Sequence, residues 1–166
     1  LIQLAMNAKE KGIDLKAVAL GHRDGNVLIG GKDISSVEEL KGQSFAIPSR
    51  FSTHNILLYE MLKKHNIGYD ELDVIELAPA EMPAALAEGR IAGYVVAEPF
   101  GAISVSLENG NVLYQSEDIW QDSIDCGLVL RGQFIENNKE LVQSFVDDYI
   151  AGGDLAQHKD DHTHDV

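Results

Sequence analysis

Ser44-Phe45-Ala46-Ile47, followed by the polar loop Pro48-Ser49-Arg50-Phe51-Ser52-Thr53-His54, opens the stretch that decides the fold. The apolar quartet reads as a short buried strand. A helix pattern follows, with Ile56, Leu57, Met61 and Leu62 on one stripe and Lys63 and Lys64 on the wet side. Val74-Ile75-Glu76-Leu77 is a second strand and 82–88 a second helix. Gly93-Tyr94-Val95-Val96-Ala97 is a third strand, closed by Glu98-Pro99-Phe100. Strand, helix, strand, helix, strand with short connections predicts parallel strands joined by right-handed crossovers. Such sheets bind ligands outside the carboxyl ends of their strands. The loop 49–54 and Glu98 both emerge there, so both are expected to face one cavity.

Local signals set the element ends. Thr53 is placed as an N-cap and Gly68 as the stop of that helix. Pro83 sits in the first turn of the second helix, and Gly89 lies past its end. Outward, 2–11 suits a helix ended by Gly12, with strands at 15–20 and 27–29. Ser36-Val37-Glu38-Glu39 fits a capping box that opens a single turn stopped by Gly42. A helix at 102–107 and strands at 111–114 and 124–130 follow. The last helix runs over 139–151, with Leu141, Val142, Phe145, Val146, Tyr149 and Ile150 expected inward.

With 45% hydrophobic and 24% charged residues, the chain has the composition of a globular protein, and 166 residues allow one domain or two small lobes. No run approaches the ~20 apolar residues that span a bilayer. Thirteen basic against 27 acidic residues give a net charge of −14, which repels phosphate backbones and argues against nucleic acid. An anion site must therefore draw on local donors, such as a helix N-terminus. One cysteine, Cys126, allows no internal disulfide, and its apolar neighbours suggest a small packed side chain. No nucleophile, base and orienter stand together, so no enzymatic activity is expected. The start at Leu1 lies inside an apolar pattern already spaced as a helix, so it reads as mid-element and says nothing about a signal peptide.

The order Gly21-His22, then Leu40-Lys41-Gly42-Gln43-Ser44-Phe45-Ala46-Ile47-Pro48, Ser52-Thr53-His54, Met82-Pro83-Ala84-Ala85-Leu86-Ala87-Glu88-Gly89-Arg90-Ile91 and Ala97-Glu98-Pro99-Phe100 resembles the substrate-binding proteins of ABC importers. Within them it is similar to the nitrate/sulfonate/taurine/bicarbonate group, from Gly21 to about Ile150. The resemblance implies an α/β fold of the periplasmic-binding-protein type II kind: a parallel-stranded lobe plus part of a second lobe joined by hinge strands. On that reading 1–30 is a remnant of lobe one and hinge, and 31–115 a complete lobe two. Residues 116–152 are the hinge return and a lobe-one helix, and 153–166 a polar His/Asp-rich tail. The resemblance further implies a monomer that takes a small molecule or small anion and delivers it to an ABC permease. Its place is extracytoplasmic, periplasmic or as a cell-surface lipoprotein. The family's front segment is absent from this sequence.

Candidate ligand contacts are Ser49, Arg50, Ser52, Thr53 and His54, whose hydroxyls and N–H groups sit at a positive helix end. Arg50 offers a planar fork for an anion. Ser52 and Thr53 would serve equally as plain helix caps. By resemblance, His54 is a contact in nitrate-type members, and His22 and Arg23 lie where the group places ligand or hinge contacts. Glu98, a lone acid at a strand end, suits an ammonium, a protonated ligand or a cation; bicarbonate-type members imply the last. A carboxylate facing an anion needs a proton or cation between them. No cofactor is required, and a bound divalent cation is the one addition this reading allows. His158, His162 and His164 in the tail form a weak metal candidate. Two alternatives share the fold by resemblance. One is the effector-binding domain of a LysR-type regulator; the other is a pyrimidine-synthase-like enzyme, whose cysteine cluster a single Cys126 cannot supply.

Overall fold

The structure, a computed structural model, describes residues 2–157. The metal candidates His158, His162 and His164 lie outside the described residues. In chain order the strands are β1 (Leu15–Leu20), β2 (Asn26–Gly31), β3 (Ser44–Ile47), β4 (Asp73–Glu76), β5 (Gly93–Ala97), β6 (Gly110–Gln115) and β7 (Gly127–Arg131). The helices are α1 (Ile2–Glu10), α2 (Thr53–Lys64), α3 (Met82–Ala87), α4 (Phe100–Ser106), α5 (Ser116–Ile119), α6 (Gly132–Asn137) and α7 (Lys139–Gln157).

Five strands form one sheet in the order β4-β3-β5-β2-β6, and β1 pairs with β7 in a separate two-stranded ribbon. The parallel triplet expected from the sequence is present: β3 pairs parallel with both β4 and β5. β2 runs against it, antiparallel to β5 and β6. The sequence reading groups this strand with segments leaving the unit; here it is wholly inserted, with Asn26 to Gly30 buried. A run apolar on both faces, Val27-Leu28-Ile29, is what such an inner strand requires.

Alternation along each strand divides the core into two layers. Leu28, Phe45, Ile47 and Val95 face α2, where Leu57, Leu58, Met61 and Leu62 complete the packing. Val27, Ala46, Tyr94 and Val96 face α3, with Phe100 of α4 packed alongside. Glu39 accepts from the N–H groups of Ser35 (2.6 Å) and Ser36 (3.1 Å), which provides the carboxylate half of the expected capping box.

Three local expectations are corrected. Ser52, not Thr53, is the N-cap of α2, because its hydroxyl accepts from Asn55 N–H and Thr53 already has helical backbone. α2 ends at Lys64, ahead of Gly68, since Asn66 takes the left-handed conformation itself (φ +54°). The face of α7 predicted to be inward is open: among its apolar residues Val142 is buried, whereas Leu141 is 61% and Phe145 50% exposed. No second layer among the described residues covers that face.

Candidate functional site

The first turn of α2 meets the two segments that join the ribbon to the sheet. The antiparallel register of β1 and β7 pairs Leu20 with Gly127 and continues into the linkers. Gly21 N–H donates to the Cys126 carbonyl (2.8 Å), and Asp125 N–H points to the His22 carbonyl (3.4 Å). Arg23 and Ile124 form a further bridge. A Cβ on Gly21 would lie 3.0 Å from both the Cβ and the carbonyl oxygen of Cys126, so a glycine lets the linkers approach this closely. This zipper sets His22 opposite Asp125. His22 Nε2 lies 3.9 Å from Asp125 Oδ2, and Cys126 Sγ lies 3.6 Å from that oxygen.

α2 contributes from the other side. Thr53 donates its hydroxyl to Gln3 Oε1 on α1 (3.0 Å), tying the helix start to the amino-terminal helix. His54 is 4% exposed, and neither ring nitrogen has a hydrogen-bond partner among the described residues. Burial pulls its pKa down to about 4, opposed in part by the negative charge of Asp125, which is itself buried. The ring is therefore neutral at physiological pH and can both donate and accept. Asn26, at the start of β2, is fully buried, and neither side-chain amide atom has a hydrogen-bond partner among the described residues. Because Val27 faces α3 and Leu28 faces α2, Asn26 shares the α2 face with His54. Its pairing with Ala97 puts it at the carboxyl end of β5. Two unsatisfied polar side chains at one sheet edge are costly unless something else bonds them.

The other predicted residues are spread along this edge. Ser52 is buried as the cap, donating to the Ser49 carbonyl (2.6 Å), and Ser49 accepts from Phe51 N–H. Arg50 turns outward to β4: its guanidinium donates to the Val74 carbonyl (2.8 Å) and its N–H to Glu76 (2.6 Å). Arg23 donates to the Asp122 carbonyl (2.7 Å) at an exposed position. Glu98 does not face His54 across one cavity. Its carboxylate accepts from Ala102 N–H (2.9 Å) in α4, which packs with α3 on the opposite face of the sheet. Both residues keep to the carboxyl edge, but a one-residue step along β5 turns Glu98 away from α2.

Sequence reading missed Asp125, Asn26 and Gln3, and took Cys126 for a packing residue alone. One signal was there: Asp125 is a charge inside the apolar run Ile124 to Leu130. A cavity of about 460 Å³ lies at the opposite, amino edge, lined by Lys32, Gln43, Ser44 and Arg90. It contains none of the buried unpartnered groups, so the linker region is the better candidate site.

The NMT1-like family model matches residues 3–166. The chain belongs to this family. The taurine-binding periplasmic protein of Escherichia coli strain K12 is 31% identical over 147 residues, which cover 86% of this chain and 44% of that protein. The chain thus spans about half the length of the relatives it matches. A zinc-bound crystal structure of the ligand-binding component of an ABC-type import system from Staphylococcus aureus has 46% identity and a TM-score of 0.84. The match covers 90% of this chain and 52% of that one. The nitrate-binding protein NrtA of Synechocystis shares the fold at 15% identity and a TM-score of 0.83, over 96% and 45% of the two chains. These relatives bear the names of binding proteins and of a ligand-binding import component. No described helix is long and apolar enough to cross a membrane.

Proposed function

We propose that this family member is the solute-binding component of an ABC importer, holding a small polar or anionic solute for delivery to a membrane permease. The five-stranded body is one lobe. The ribbon β1–β7 is the hinge, and α1, α6 and α7 belong to the other lobe. The observation that carries the reading is the pair of buried, unpartnered side chains, His54 and Asn26, at the sheet edge where the hinge segments meet α2. Ser52, Thr53 and His22 complete the polar rim; Ser49, Arg50, Arg23 and Glu98 lie further out. Domain closure about such strands is driven by contacts a solute makes to both sides. Relatives that bind taurine or belong to import systems favour this over a regulator's effector domain. An extracytoplasmic, monomeric protein follows from the same reading.

A thermal-shift screen against nitrate, taurine, alkyl sulfonates and bicarbonate with calcium tests it. One of these is expected to raise the melting point, by an amount equivalent to about 2.7 kcal/mol at a hundredfold excess over Kd. His54→Ala should abolish the shift, and full retention of it in that variant would remove His54 from the site. A flat response to every probe would count against the solute reading.

A further inference from the structure

We propose that His22, Asp125 and Cys126 form a binding site for one divalent cation of the zinc class. The nitrogen, carboxylate oxygen and sulfur of the first three lie within 4.8 Å of one another. Zinc takes N and O at about 2.0 Å and S at about 2.3 Å, so a tetrahedral site needs ligand separations of roughly 3.3–3.5 Å. The observed 3.9 Å from nitrogen to oxygen and 3.6 Å from sulfur to oxygen require closures of about 0.6 and about 0.1 Å, and the nitrogen–sulfur pair closes from a separation within 4.8 Å.

The His22 tautomer strengthens the case. Its Nδ1 lies 3.2 Å from the Asp24 carbonyl oxygen, which only accepts, so Nδ1 carries the proton. Nε2 then faces an oxygen of the buried Asp125 carboxylate at 3.9 Å, beyond hydrogen-bond reach. A carbonyl orienting the far nitrogen is the arrangement that metal-bound histidines use. On binding, Cys126 would release its proton to solvent, and thiolate plus carboxylate would neutralise the two positive charges.

The inference concerns the same sheet edge as the proposed solute site but rests on this ligand set alone. It is tested on the purified protein carrying His158→Asn, His162→Asn and His164→Asn, so that the tail cannot chelate. Zinc chloride titrated calorimetrically should bind at one per chain, and cobalt(II) should give a sulfur-to-metal charge-transfer band. Cys126→Ser should erase that band and weaken zinc at least tenfold; His22→Ala should weaken it at least tenfold. His22 is half exposed, so its removal should leave the metal-free melting point in place and keep the test readable even if the cysteine variant folds poorly. Loss of zinc binding on substituting the tail alone, or an unchanged band and affinity in the cysteine variant, would overturn the site. A nitrate or taurine shift in chelator-treated protein speaks to the importer reading only. Zinc binding without any solute shift supports the cation site and leaves that reading to fail separately.

Discussion

The five-stranded body and the ribbon with its helices are built from similar sequence, yet one is packed and the other open. In the body Phe45, Leu57, Leu58 and Tyr94 have no exposed surface at all. Around the ribbon, α1 buries none of its residues, and Leu141, Phe145, Ile150 and Leu155 of α7 are each at least half exposed. Both regions carry apolar residues at helical spacing. The difference is the partner: α2 and α3 each have a sheet face beneath them, whereas the apolar stripe of α7 meets no second layer among the described residues. An amphipathic pattern therefore specifies a helix and a preferred face, while burial depends on what that face meets.

The sharpest way to break the comparison is one truncation made in both regions. Phe45→Ala removes a fully buried ring between β3 and α2 and should cost about 3–5 kcal/mol in a denaturant titration. Phe145→Ala on the open face of α7 should stay within about 0.5 kcal/mol of the parent. Equal costs would show that the α7 face is covered in solution, and the contrast would fall.

A second test lies at the junction of the two regions. His54 has a folded-state pKa of about 4 against an ordinary 6.5. Between those values the unfolded chain binds a proton that the folded one does not, so stability rises with pH across the window. The stabilisation is fully present above pH 6.5 and is lost as the pH falls toward 4, by about 3 kcal/mol in total. Carboxylates held low by their partners, such as Glu39 and Glu71, lose stability in the same direction at lower pH. The difference between the parent and His54→Gln isolates the histidine: the variant should lack the slope between pH 6.5 and 4. Identical slopes would mean that His54 is not buried neutral, and the site would lose its central group.

How much was legible beforehand follows the same division. The unit from β3 to β5 could be read because period-2 and period-3.6 runs alternate between clear stops, and because Pro83 and Gly89 mark the ends of α3. The direction of β2 could not be read, since Val27-Leu28-Ile29 suits an inner strand of either sense and only pairing with β5 and β6 decides it. At the site, Ser52 and His54 were legible from the helix start. Asp125 and Asn26 become meaningful only when the zipper from Leu20–Gly127 and the Asn26–Ala97 pair bring distant segments to one edge. Glu98 was misjudged for a related reason: the sheet edge follows from chain order, but the face depends on a single step along β5 and on α4 supplying a donor.

The finest test makes the same glycine substitution in both regions and looks for opposite signs. At Gly93 in β5, an added Cβ would sit 2.6 Å from the Ile29 carbonyl oxygen and 2.7 Å from the Phe45 ring. Neither the inner strand nor the packed ring can retreat without opening the sheet, so Gly93→Ala should cost about 1–3 kcal/mol. At Gly152 within α7, an added Cβ meets nothing within 4 Å. There alanine only reduces the freedom of the unfolded chain and raises helix propensity, so Gly152→Ala should gain about 0.5–1 kcal/mol. Chemical denaturation of the two variants reads both signs. A gain at Gly93 would mean that β5 is not pressed between β2 and the Phe45 ring. A loss at Gly152 would mean that this turn of α7 is either not helical or already in contact with something else.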